Sequence, residues 1–236
     1  MKFYSAWYCP FAQRSWMALV YKNIDFDLIE IDPYDLSDSW LEISRGAALV
    51  PVVVQANVDG SDTTIVESNR ILEYLEDYYP ENTPLFSDSP NRRAEQKYWM
   101  DQVSNKITPY FYRFLKMPEA GKQQDEARDK MLEGLMAITQ AMSSEEPYFS
   151  GERLSAVDIA LFPFAYRIDA LLGHYRNYTL PREGDNWERY HRWYDAMLAV
   201  PAFQATATDH ADYKKRLVTH YLPYSQGEGQ TDVTAV

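Results

Sequence analysis

Cysteine occurs once in the 236 residues, at position 9. No internal disulfide can form, no cysteine-based zinc cluster is possible, and a reducing, cytoplasmic setting is expected. Basic residues are also scarce: 23 Lys and Arg face 35 Asp and Glu, a net charge of −12. Such a chain repels phosphate backbones and gains nothing from counterion release, so nucleic acid is excluded as an expected partner. Uncharged apolar runs never approach the roughly 18 residues that a membrane span requires. The first nine residues lack the basic region and apolar core of a secretory signal. What the chain does have is aromatic bulk, with 19 tyrosines and 6 tryptophans. That argues against wholesale disorder and fibrous architecture, and the length suits one large domain or two small ones.

The hydrophobic pattern changes partway along. Early on, short β-rich runs alternate with helical ones: strand Lys2 to Tyr8, helix Pro10 to Tyr21, strand Phe26 to Ile31, and a short helix Ser39 to Ile43. Two strands follow, Val50 to Val54 and Thr63 to Val66, and then a helix from Ser68 to Tyr78. The turn residues Asp59-Gly60-Ser61-Asp62 between the last two strands predict an antiparallel hairpin. Helical crossovers predict parallel pairing for the earlier strands. Residues 1–79 are thus expected to form an α/β domain of order β-α-β-α-β-β-α around a mixed four-stranded sheet. Breakers and caps concentrate in 80–90, which reads as a linker. Residues 91–222 read as all-helical, with amphipathic stretches Asn91 to Leu115, Gln123 to Met142, Ala156 to Leu172, Trp187 to Leu198 and Ala202 to Leu217. Ser155-x-x-Asp158 is expected to nucleate the third of these as a capping box, and Pro163 to kink it or shift its start. Residues 223–236 read as a flexible tail.

The sharpest chemical signal is Cys9-Pro10-Phe11-Ala12-Gln13-Arg14, where the first strand hands over to the first helix. Cys9 falls at the N-cap and Pro10 at the first helical position, where a missing N–H costs nothing. Unpaired amides and the positive end of the helix dipole favour a thiolate there. A free cysteine titrates near about 8.5, so lowering that by roughly two units makes thiolate the majority form at neutral pH. Ala12 stands where a Cys-x-x-Cys motif would place its second thiol, so a mixed disulfide on Cys9 needs an external thiol to resolve it. The alternative is a small buried core cysteine. Val50-Pro51 is a second signal: a cis bond would turn the Val50 amide and carbonyl toward an extended ligand, whereas a trans bond is an ordinary strand-start proline. A third is Glu67-Ser68, which either caps the helix behind it or leaves amides for a small carboxylate.

Together these motifs, on a β-α-β-α-β-β-α domain followed by helices, resemble the cytosolic glutathione transferases. The cysteine-type omega class matches best, with lambda and the dehydroascorbate reductases close. The resemblance implies a thioredoxin-like glutathione-binding domain, an all-α second domain, a homodimer, and glutathione as co-substrate with no metal. It implies that Cys9 is catalytic, that Val50 with Pro51 pairs with the cysteinyl backbone of glutathione, and that Glu67 and Ser68 hold its γ-glutamyl group. Phe11 and Trp193 would border a pocket for a small hydrophobic or disulfide acceptor. Two departures stand out. Ser37 replaces the lysine that omega proteins commonly carry for the glycine carboxylate, within the acidic run Asp35-Leu36-Ser37-Asp38, and Ser44 to Leu49 lacks the usual Asn-Pro pair. Arg45 or Arg14 could supply a substitute cation.

The expected activity is glutathione-dependent thiol transfer through a Cys9 mixed disulfide, deglutathionylating substrates or reducing small electrophiles such as dehydroascorbate. Rival readings are a conjugating transferase that uses Tyr4, Ser5 or Tyr8, and a hydrophobic-ligand carrier in which Cys9 is incidental. The chloride intracellular channel family shares the Cys-Pro-Phe motif. However, the acidic unit Asp25 to Glu30 and the charges interrupting every apolar run make stable membrane insertion unattractive.

Overall fold

The computed structural model describes residues 1–32, 37–207 and 210–228. Asp35 and Leu36 of the acidic run, and the expected tail from residue 229 onward, lie outside the described residues.

The first element, β1 (Lys2–Ser5), sits centrally in a four-stranded sheet of order β2-β1-β3-β4. It runs parallel to β2 (Asp27–Glu30), with Tyr4 opposite Ile29, and antiparallel to β3 (Val52–Ala56), with Tyr4 opposite Val52. The strand β4 (Asp62–Val66) closes the antiparallel hairpin, with Val53 opposite Ile65. Successive side chains of a strand point to opposite faces, and β1 shows what each face carries. Phe3 meets Trp16 of α1 (Pro10–Tyr21) edge-on at 6.5 Å, whereas Tyr4 packs on Trp40 of α2 (Asp38–Ile43) at 5.8 Å. With α3 (Ser68–Tyr78) this is the mixed sheet the sequence predicts, in the thioredoxin-like order that the resemblance implies.

The chain divides into two units, Met1–Ser87 together with Pro201–Thr206, and Asp88–Val200 together with the residues from Ala207 onward. Two boundaries therefore differ from the sequence reading. Residues 80–87, read as linker, are fastened to the first unit. Lys22 Nζ, at the end of α1, lies 2.8 Å from Glu76 Oε2 and 3.1 Å from the Thr83 carbonyl. Glu76 in turn accepts the amides of Leu85 and Phe86, whose side chains are buried. Turn residues mark irregular backbone there without detaching it. The helix α10 (Pro201–Thr206) belongs to the same unit, and Gln13 Nε2 donates to Thr206 Oγ1 at 3.0 Å.

The second unit is helical. It contains α4 (Pro90–Gln102), α5 (Thr108–Lys116), α6 (Lys122–Ala141), α7 (Ala156–Arg167), α8 (Gly173–Arg176), α9 (Asp185–Leu198), α11 (His210–His220) and α12 (Leu222–Ser225). The tail expected from residue 223 begins inside α12, where Tyr224 and Ser225 are buried and Arg176 Nη2 donates to the Ser225 carbonyl. The stretch predicted as one helix from Asn91 to Leu115 is broken by a π-helical turn, Val103–Ile107. Pro109 supplies the reason: it has no amide to continue the ladder, and Thr108 Oγ1 takes the Val103 carbonyl at 3.1 Å. A second π-helical turn, Ile168–Leu172, follows α7; that helix starts at Ala156, so Pro163 has not shifted its start. Among the described residues no helix is long and apolar enough to cross a membrane.

Glycine matters where α6 meets the first π-helical turn. A Cβ on Gly134 would stand 2.9 Å from the Lys106 carbonyl oxygen and 2.9 Å from Ile107 Cγ1. Because the first of these is backbone, the contact cannot be relieved by a rotamer change. Gly134→Ala is expected to destabilise the protein by about 1–3 kcal/mol despite alanine's better helix propensity. Urea denaturation checks this, and a gain in stability would show that the turn yields.

Candidate active site

The end of β1 delivers the chain to Cys9 through a tight turn, Cys9 N–H donating to the Ala6 carbonyl at 2.8 Å. Trp7 N–H donates to Glu30 Oε1 at 2.7 Å, holding the turn against the end of β2. Cys9 is the N-cap of α1 with φ −77° and ψ 119°, and Pro10 occupies the first turn. Its sulfur does what a serine or aspartate oxygen does in most caps: it accepts the Ala12 amide, at 3.5 Å. The thiol is half-buried rather than sealed in the core. An amide aimed at the sulfur and a helix N-terminus behind it both favour negative charge on that atom.

Val50 is the residue nearest in role. The protonated Cys9 thiol donates to the Val50 carbonyl at 3.7 Å, and the Val50–Pro51 bond is cis. Three residues just before it, Arg45, Gly46 and Ala48, have positive φ. The Ser44 hydroxyl holds that loop by accepting the Ala48 amide at 3.0 Å. Cys9, Tyr8, Val50 and Val66 pack on one apolar cluster that also contains Tyr4, Trp40 and Val52. The fold thus gathers the Cys9, Val50-Pro51 and Val66-Glu67 segments at one end of the sheet, although they are far apart in sequence.

At the start of α3, Glu67 is exposed and has φ +69°. A non-glycine residue held there stores strain of about 1–3 kcal/mol, which proteins tolerate mainly at functional sites. Its carboxylate does not cap the helix. The first ladder bond runs from Ile71 N–H to the Glu67 carbonyl, which leaves the Ser68, Asn69 and Arg70 amides outside the ladder. Plain side-chain capping, one of the two readings open at this position, is therefore not what the geometry contains.

Of the substitute cations, Arg45 is exposed on its loop, whereas Arg14 is 1% exposed. Its Cζ stands 5.2 Å over the half-buried Phe11 ring, and Nη1 donates to Ser68 Oγ at 3.3 Å and Asn69 Oδ1 at 3.4 Å. Arg14 therefore does not replace the missing lysine on an open surface. Ser37 begins α2, with its hydroxyl 3.3 Å from that of Ser39. The part played by Asn69 was missed by sequence reasoning; a short amide directly after the Glu67-Ser68 pair was the available signal.

Trp193 requires a correction. The resemblance implies a place on a pocket wall, but the residue is fully buried in the second unit. Its Nε1 donates to Asp158 Oδ1 at 2.8 Å, and its ring meets Phe162 edge-on at 5.9 Å. An indole fixed on a buried carboxylate is core. Among the described residues no group of three or more His, Cys, Asp and Glu side chains is placed to hold a metal ion.

Residues 3–83 match the family described as "Glutathione S-transferase, N-terminal domain", and residues 121–196 match "Glutathione S-transferase, C-terminal domain". A 198-residue stretch is 30% identical to "Glutathione S-transferase DHAR2" of Arabidopsis thaliana, covering 84% of this chain and 83% of that one. "Glutathione S-transferase DHAR3, chloroplastic", from the same plant, is 29% identical over 173 residues, 73% of this chain. That match spans 60% of the relative, so the chain covers less than two thirds of its length. Among solved structures, glutathione transferase Omega 3C from Trametes versicolor is similar with a TM-score of 0.75 and 32% identity, covering 87% of each chain.

Proposed function

Since the chain belongs to the glutathione S-transferase family, we propose that it is a glutathione-dependent thiol transferase of the cysteine type. The observation that carries this reading is the position of Cys9, half-buried, capping α1 with its sulfur and receiving the Ala12 amide. The Cys9 thiolate attacks the glutathionyl sulfur of a mixed disulfide. The S–S bond breaks, the acceptor leaves as a thiolate that takes up a proton, and glutathione stays on Cys9. A second glutathione, deprotonated, attacks this new disulfide, releases oxidised glutathione and restores the Cys9 thiolate. With one cysteine in the chain no internal thiol can resolve the intermediate. The amides opening α1 stabilise the leaving thiolate, so no histidine base is required.

In this reading Val50 presents its backbone to the cysteinyl unit of glutathione, Glu67 and the amides of α3 receive the γ-glutamyl group, and Phe11 borders the acceptor. Small electrophiles of the dehydroascorbate type and glutathionyl disulfides are the acceptors we propose, with a homodimer working in the reducing cytoplasm. The test is intact-mass analysis after exposure to oxidised glutathione. One glutathionyl unit should add to the Cys9 peptide and be removed by reduced glutathione. No addition, or addition that reduced glutathione leaves in place, overturns the reading.

A further inference from the structure

The first turn of α3 has three amides outside its ladder and, directly beside them, two side chains able to compete for those amides. Serine and asparagine readily bond to their own or neighbouring backbone N–H groups. In this chain Ser68 Oγ and Asn69 Oδ1 both face Arg14 Nη1 instead, at 3.3 Å and 3.4 Å. The arginine comes from α1, five residues after Cys9, and is 1% exposed. A guanidinium so thoroughly withdrawn from water acts on nearby anions through a low local dielectric. It also draws the two short acceptors away from the helix end.

We infer that Arg14 is a positioning residue for the γ-glutamyl end of the thiol substrate: by engaging Ser68 and Asn69 it keeps the opening amides of α3 available to an α-carboxylate. It touches neither the substrate nor the reacting sulfur. The inference rests on the reading of the preceding section and deepens it, since it makes one side chain of the cysteine-bearing helix responsible for recognising the far end of the tripeptide. It also gives the guanidinium a selective task. A thiol that lacks the γ-glutamyl group, such as cysteinylglycine, gains nothing from the α3 amides, so Arg14 should matter for glutathione and not for the truncated thiol.

The experiment compares oxidised glutathione with oxidised cysteinylglycine as the disulfide that loads Cys9 in wild type, Arg14→Gln and Arg14→Lys, read by intact mass over time. For Arg14→Gln, the concentration of oxidised glutathione that half-saturates loading is expected to rise about tenfold, the scale of one charge-assisted hydrogen bond, with the loading rate at saturation nearly unchanged. Its loading by oxidised cysteinylglycine should match wild type, and Arg14→Lys should recover part of the affinity for oxidised glutathione. Should Arg14→Gln fail to fold, Arg14→Lys carries the test: it must raise the half-saturating concentration of oxidised glutathione by a smaller factor and leave loading from oxidised cysteinylglycine at the wild-type rate. Equal losses with both disulfides, or an unchanged preference for oxidised glutathione in a folded variant, overturn the inference and leave the Cys9 chemistry standing. Failure of wild-type Cys9 to become glutathionylated defeats the proposed function itself, and that result is read separately by mass.

Discussion

Cys9→Ser is expected to lower reduction of a glutathionyl disulfide by at least about a hundredfold while leaving the protein folded. The two halves of that result have different causes. A serine hydroxyl is not ionised at neutral pH and cannot enter disulfide exchange, so loss of a nucleophile removes the step outright. Serine is also a preferred N-cap, and its oxygen can accept the Ala12 amide that the sulfur now accepts at 3.5 Å. Stability should change by less than about 1 kcal/mol. Conjugation of an aromatic halide, assayed in parallel, separates the chemistries: a hydroxyl-activated transferase would keep that rate. Disulfide reduction persisting in the serine variant would defeat thiol transfer at Cys9.

The largest effect on stability is expected from Asp158→Ala. Asp158 is 1% exposed at the start of α7. Its Oδ2 accepts the Ser155 amide at 2.8 Å and hydroxyl at 2.7 Å, and its Oδ1 accepts the Phe149 amide and the Trp193 indole, each at 2.8 Å. Burial pushes this carboxyl above its ordinary range, while the four donors favour the anion. Truncation leaves three N–H donors facing a small cavity and removes the cap of a helix buried on every side. A loss of about 3–5 kcal/mol follows, read as an earlier urea transition in tryptophan fluorescence. Asp158→Asn should recover only part, since its NH2 group would have to face donors where an acceptor now stands. A variant within about 1 kcal/mol of wild type would show that water or repacking replaces the carboxylate.

Pro10 and Cys9 fix the start of α1, and the turn residues Asp59 to Asp62 foretell the hairpin of β3 and β4, because each signal is local to the chain. The uncapped start of α3 could not be read from Glu67-Ser68 alone: the outcome depends on Arg14, more than 50 positions away. Trp193 misled because an aromatic at family spacing says nothing about which buried carboxylate its indole finds. The segment 80–87 misled differently. Its turn residues were read correctly, but the Lys22–Glu76 pair that fastens it is a contact at long sequence range.

The cysteine-bearing unit is discontinuous in the chain. Six residues that belong with the sheet, Pro201–Thr206, are encoded more than a hundred positions after its last strand. A fragment ending at Ser87 would carry Cys9 and the whole sheet but would be missing the Thr206 hydroxyl against which Gln13 rests. No single cut can therefore excise the cysteine-bearing half intact. An insertion or domain swap placed at that junction would transplant an incomplete module, and grafts that also carry the late helix are the ones that should retain its reactivity.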